Sequence, residues 1–184
     1  MALDSGERER LEAYLLQRRV PATVLRARRV TLSAELLELV QRGARKHPNA
    51  KVRRECLGVL DHYANVESGE VFRAALFDPV SHVRVVALHG LACERCRVGE
   101  LCASEVVTDL IRALDDDPNP KVRHGAVLVI AGLAERDARV VDVLRRVASD
   151  DVDPWVRKVA LAVVEGRRRD VRSRKALQRR EVAR

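Results

Sequence analysis

Asp117-Pro118-Asn119-Pro120-Lys121-Val122-Arg123-His124-Gly125-Ala126 is written as a tight turn running into a helix. Asn119 suits the N-cap, where a side-chain oxygen accepts an orphan backbone N–H. Pro120 follows at the first helical position, where a missing N–H costs nothing. Val122, Ala126 and Ile130 then recur at i, i+4 and i+8, one buried stripe of a helix whose small central residue lets a neighbour approach closely.

The same writing occurs three more times, at His47–Arg53, Asp78–Arg84 and Asp151–Arg157. Each copy carries Val-Arg at the same offset. A small residue stands three positions after the Arg (Cys56, Ala87, Ala126, Ala160), and a larger aliphatic stands four further on (Leu60, Leu91, Ile130, Val164). Asn49 and Asp153 repeat the N-cap and Pro154 repeats the first-turn proline, while Ser81 fills the proline column of the second copy. An amphipathic stretch precedes each copy, at about Ser33–Ala44, Ser68–Phe77, Glu105–Leu114 and Ala138–Ala148. The unit is therefore an antiparallel helix pair. The Val columns stand 31, 39 and 34 residues apart, the period of stacked helical hairpins.

Composition agrees. Hydrophobic residues are 47% of the chain, enough for a core, but aromatics are only 3%, and Ala, Val and Leu dominate. Small-faced helices are built from such residues, whereas strands favour aromatic and β-branched side chains. No stretch approaches the roughly 20 apolar residues of a membrane span. The charged start, Met1–Arg10, does not read as a signal peptide, so the expected location is cytoplasmic, with cysteines reduced or holding metal.

The pattern Asp-Pro-x-x-x-Val-Arg-x-x-Ala, best kept at Asp117–Ala126, resembles HEAT repeats in the short bacterial form also seen in phycobilin-lyase-like repeats. The resemblance covers about Leu32–Glu165. The first and last copies depart from it, with His47 and Asp151-Val152 in place of Asp-Pro. It implies an all-α fold, a short α-solenoid of about four stacked HEAT-like helical hairpins with a basic C-terminal extension. It also implies a non-catalytic scaffold that offers a groove of second helices to a protein partner. The expected organisation is an N-terminal capping helix and basic connection over 1–31, with Leu11, Leu15 and Leu16 facing the stack. The repeat array follows over 32–166, with a cysteine-containing insertion at 93–103, and then a tail over 167–184.

Three constellations could carry chemistry. The column Arg53, Arg84, Arg123 and Arg157 could form an anion-binding ladder, but the turn aspartates Asp78, Asp117 and Asp151 recur beside it, so structural Arg–Asp pairing is expected. The tail holds nine of the 35 Lys and Arg against two of the 27 acids, leaving the body nearly neutral within a net charge of +8. Arg167, Arg168, Arg169, Arg172, Arg174, Lys175, Arg179 and Arg180 could contact nucleic acid or another polyanion, or serve only solubility. Cys93-x2-Cys96 has the spacing of two thiolates on one ion. Cys102 can fold back through Gly99 as a third donor, and His89, one turn before Cys93, can complete a structural zinc site. His62, in the same repeat column as Cys93, is the rival fourth ligand. Cys56 stands in the small-residue column and reads as core. Lone Trp155 reads as packing against the C-terminal extension.

No Gly-rich phosphate loop, nucleophile elbow or His-Glu-x-x-His is present, and Asp115-Asp116-Asp117 reads as a solvated turn. An enzyme is therefore not expected. A HEAT-like DNA glycosylase would need several stacking aromatics beside an acid, and Trp155 stands with Asp153 alone. A chromophore lyase using a cysteine is the other enzymatic alternative.

Overall fold

The computed structural model describes residue 6 and residues 34–63, 68–92, 103–134 and 137–167. The expected N-terminal capping helix, Cys93, Cys96, Cys102 and the tail beyond Arg167 lie outside the described residues. Within them the chain is all-α, with no strand. Eight helices follow one another: α1 (Ala34–Lys46), α2 (Ala50–Tyr63), α3 (Ser68–Ala75), α4 (Ser81–Ala92), α5 (Ala103–Asp116), α6 (Pro120–Ile130), α7 (Ala138–Asp150) and α8 (Pro154–Val164). A short 3-10 turn, Ala131–Leu133, prolongs α6. None of these helices is long and apolar enough to cross a membrane.

The helices follow one another as four pairs joined by short turns, and the chain divides into two compact units between Ala103 and Ser104. In the first unit α1 pairs with α2 and α3 with α4, while α1 lies on α3 and α2 on α4. Like helices thus stack on like, the layering of helical-repeat arrays. In the second unit α8 packs on both α7 and α6. The first helices α5 and α7 are tied there by Arg146 to Asp115 (2.8 Å) and Arg139 Nη1 to Thr108 Oγ1 (3.3 Å).

The turns follow from their residues. Asn119 is extended and accepts from Lys121 N–H, with Pro120 opening α6, and Asp153 accepts from Trp155 and Val156 N–H ahead of α8. Asn49 does the same for Lys51. At the end of α8 the chain leaves through Gly166, at φ 73°, a conformation glycine adopts without cost. Gly166 N–H donates to the Val163 carbonyl and Arg167 N–H to that of Ala162, the crossed pair of a Schellman cap.

The repeat columns are the core. Val52, Val83, Val122 and Val156 are buried, as are Cys56, Ala87, Ala126 and Ala160 behind them. Burial, with the nearby Glu55 charge adding to it, pushes the Cys56 thiol up to about 12, the behaviour of an inert core side chain. Leu60, Leu91 and Ile130 are fully buried, but the fourth member of that column departs from expectation: Val164 is 36% exposed. One close approach in the first unit was not legible in the repeat. Gly90 on α4 faces the ring of buried Phe72 on α3, and a Cβ at Gly90 would overlap that ring.

Gly90→Ala should therefore destabilise the fold by about 1–3 kcal/mol, overpacking outweighing the gain in helix propensity. Gly132→Ala, whose Cβ would meet nothing within 4 Å, should be neutral or stabilise by about 0.4–1 kcal/mol. Urea denaturation of the two variants checks the pair, and equal effects would contradict the Phe72–Gly90 contact.

Candidate functional site at the hairpin turns

The strongest polar feature is a tie repeated at the hairpin turns. In each second helix the Arg sends Nη1 back to the carbonyl six residues earlier, in its own turn. Arg53 reaches His47 O (2.8 Å), Arg84 reaches Asp78 O (2.7 Å), Arg123 reaches Asp117 O (2.9 Å) and Arg157 reaches Asp151 O (2.6 Å). Where the following turn of the same unit offers an aspartate, the other edge of the guanidinium grips it. Arg53 holds Asp78 through Nε (2.6 Å) and Nη2 (2.8 Å), and Arg123 holds Asp151 through both nitrogens at 2.8 Å. These are fork-on-fork pairs, the strongest geometry available to Arg. Arg–Asp pairing is what the spacing predicts. The backbone arm is not legible in sequence, because every residue type offers the same carbonyl.

The aspartate is anchored as well as gripped. Its carboxylate accepts the N–H two residues on, Val80 for Asp78 and Asp153 for Asp151. Asp117 accepts from Asn119 in the same way. In the first turn His47 takes this part with its ring, Nδ1 accepting from Asn49 N–H at 3.1 Å. His47 thus reproduces the turn but presents no carboxylate. Burial pushes the Asp78 and Asp151 carboxyls up. The clamping Arg and the backbone N–H overcome this, and both carboxyls lie below the ordinary aspartate value. Arg53 and Arg123 are raised for the same reason, chiefly by the hydrogen bond each gives its Asp. The Arg column therefore serves as internal fastening at two of its positions.

Two clefts flank these fastenings, one in each unit. In the first, about 410 Å³ opens between the turns around Arg53 and Asp78, edged by Lys46, His47, Pro48, Phe77 and Pro79. In the second, about 230 Å³ opens around Arg123 and Asp151, edged by Leu114, Arg146, Val147 and Val152. Each has a large apolar side chain standing in solvent at its rim: Phe77 is 68% exposed and Val152 86%. Single exposed hydrophobics are ordinary. Two at equivalent turns, each beside a clamped aspartate, form a repeated surface with an apolar contact point and a polar floor.

The other sequence candidates separate. His89, at the end of α4, places Nε2 3.4 Å from Oδ2 of buried Asp61 on α2, a neighbour the cysteine spacing could not reveal. Among the described residues no group of three or more His, Cys, Asp or Glu could hold a metal ion. Cys93, Cys96 and Cys102 lie outside them, as does the side chain of His62. Trp155 stands beside His124 of α6, ring centroids 6.1 Å apart and tilted by 48°, with Lys158 Nζ 5.9 Å above the indole. Of the tail cations Arg167 alone is described, and it pairs with Glu165.

The clamp carries a pH signature. A carboxyl held low in the fold stabilises it above the unfolded aspartate pKa of about 3.9, and that contribution is lost as pH falls through the folded-state value. Arg123→Lys keeps the charge but loses the fork, and should cost about 1–2 kcal/mol at neutral pH. The melting-temperature gap between wild type and variant should narrow as pH falls from neutral through the unfolded aspartate value and then through the lowered folded-state value of Asp151, below which the carboxyl is protonated in both. A gap that stays constant would mean that the pair does not couple folding to that carboxyl.

No curated protein and no solved structure matches this chain. Residues 107–180, which include the Arg123–Asp151 clamp and its cleft, match the family model described as HEAT repeats.

Proposed function

We propose that this chain is a non-catalytic protein-binding module whose recognition surface is the turn edge of its hairpins. The observation that carries the reading is the recurrence of one surface at two turns, each with an exposed apolar side chain beside a clamped aspartate. The match to HEAT repeats supports it, since such repeats commonly mediate protein–protein interaction. The geometry also suggests a mechanism. The turns are tied by hydrogen bonds to a carbonyl and a carboxylate, so a partner segment laid across them would order few groups of the scaffold on binding. The apolar contact sits in a cleft where a partner side chain can be desolvated. The groove of second helices suggested by the repeat pattern is the alternative face. Phosphate contacts by the tail are the alternative function.

The test uses nuclease-treated lysate and the chain with and without residues 167–184. Both forms should retain a discrete protein at moderate salt, and the Phe77→Asp, Val152→Asp double variant should lose it. Both positions are exposed, so the circular dichroism of that variant should be unchanged. Retention that follows the tail and falls steeply with salt would instead support a polyanion ligand.

We also propose a structural zinc ion held by Cys93, Cys96, Cys102 and His89, with His62 as the rival to His89. The support is the thiol spacing together with Asp61 beside the His89 ring, since carboxylates commonly orient metal-binding imidazoles. Protein purified without a His-tag should contain about one zinc per chain and melt lower after chelation. Less than a few tenths of a zinc, with unchanged melting, would leave three reduced cysteines.

A further inference from the structure

The fourth hairpin differs from the other three on one face. In each second helix, four residues lie along one stripe: the clamp Arg and the positions four, seven and eight after it. In α2 these are Arg53, Leu57, Leu60 and Asp61; in α4, Arg84, Leu88, Leu91 and Ala92; in the third copy, Arg123, Val127, Ile130 and Ala131. All twelve are buried. In α8 the same stripe is Arg157, Leu161, Val164 and Glu165. Here Arg157 is half-buried, Leu161 is 45% exposed, Val164 is 36% exposed and Glu165 lies in solvent. In the first and third hairpins the following second helix packs on the helix that carries the stripe, α4 on α2 and α8 on α6. Arg157 keeps its backbone arm to Asp151 O, but among the described residues no carboxylate lies within ion-pairing distance of it.

We infer that the face Arg157, Leu161 and Val164 docks a helical segment of a partner protein that carries an aspartate at a turn and aliphatic side chains on the helix beside it. This rests on the protein-binding reading and names the partner's chemistry. Arg157 has the residue type, the backbone anchor and the helix position of Arg53 and Arg123, and each of those holds an aspartate on both oxygens. The guanidinium is thus preset for a carboxylate, and two aliphatic side chains beside it supply the apolar contact.

The register of the two observed ties places no acid of this chain opposite Arg157. Arg53 and Arg123 find theirs 25 and 28 residues downstream. Twenty-five residues downstream of Arg157 stands Val182, and the acid nearest that register is Glu181. A second copy is a poor source at three of its four turns, since the first offers His47, and Asp78 and Asp151 are already held by Arg53 and Arg123.

The probe is a fluorescein-labelled peptide copying residues 138–166, the hairpin that natively packs against Arg123 and α6. It should bind the full chain in an anisotropy titration. Leu161→Asp in the chain, at unchanged melting, and Asp151→Asn in the peptide should each weaken binding by roughly tenfold or more, and so should Arg157→Glu, whose lost bond to Asp151 O lowers melting but leaves the helical circular dichroism in place. Absence of binding, or binding indifferent to Arg157→Glu, overturns the inference. A second measurement removes dependence on the peptide's own folding. Maleimide labelling of Leu161→Cys and Val127→Cys chains, read by peptide mapping, should be fast at 161 and slow at 127. Slow labelling at 161 that becomes fast on ending the chain at residue 167 would make the tail the occupant and overturn the inference. So would a dimer, seen by sedimentation, that Arg157→Glu dissociates. The two readings fail separately. A lysate partner lost with the Phe77, Val152 variant but retained by Arg157→Glu sinks the end-face inference alone, whereas retention of no discrete protein at all sinks the broader reading.

Discussion

The structure depends on one interaction, an arginine fork that fastens a hairpin to its own turn and to the next. Its two edges face different acceptors. The backbone edge fixes the start of the second helix against the turn that precedes it. The carboxylate edge fixes the spacing between neighbouring hairpins. A cation alone could not do both, because the task needs a planar group with donors on two sides. The fork therefore converts a local cap into an inter-hairpin register, and the buried Val, small and aliphatic columns are aligned by it.

Much of this was legible in the sequence because it is periodic. The Val, small and aliphatic columns recur at fixed offsets, and burial follows helical spacing. The helix starts at Pro120 and Pro154 are set by caps whose chemistry belongs to single residues. Arg–Asp pairing was legible because opposite charges recur at one repeat offset. The carbonyl partner was not, since it carries no sequence identity. Nor was the role of His47, which copies an aspartate's hydrogen bond through a ring nitrogen while lacking its charge.

Val164 shows where such reading stops. Its column predicts burial, and three of its four members are buried. Whether a position is covered depends on what stacks upon it, which the residue itself does not encode. Phe72 and Gly90 make the same point inward. A glycine within a helical pattern ordinarily weakens it, yet here its missing Cβ is the space a ring occupies. For the zinc candidates the sequence supplies the thiols, while the structure adds only the Asp61–His89 contact beside them.

The span of the fork also bears on how the chain folds. Each observed carboxylate tie closes a loop of 25 or 28 residues. Loop-closure entropy rises only with the logarithm of length, so the two closures cost nearly the same. Neither requires distant parts of the chain to meet first. Such a protein has low contact order, and its ordering spreads from one hairpin to its neighbour by short, equal steps. Each tie asks only one hairpin and its neighbour to meet, whatever the length of the whole chain.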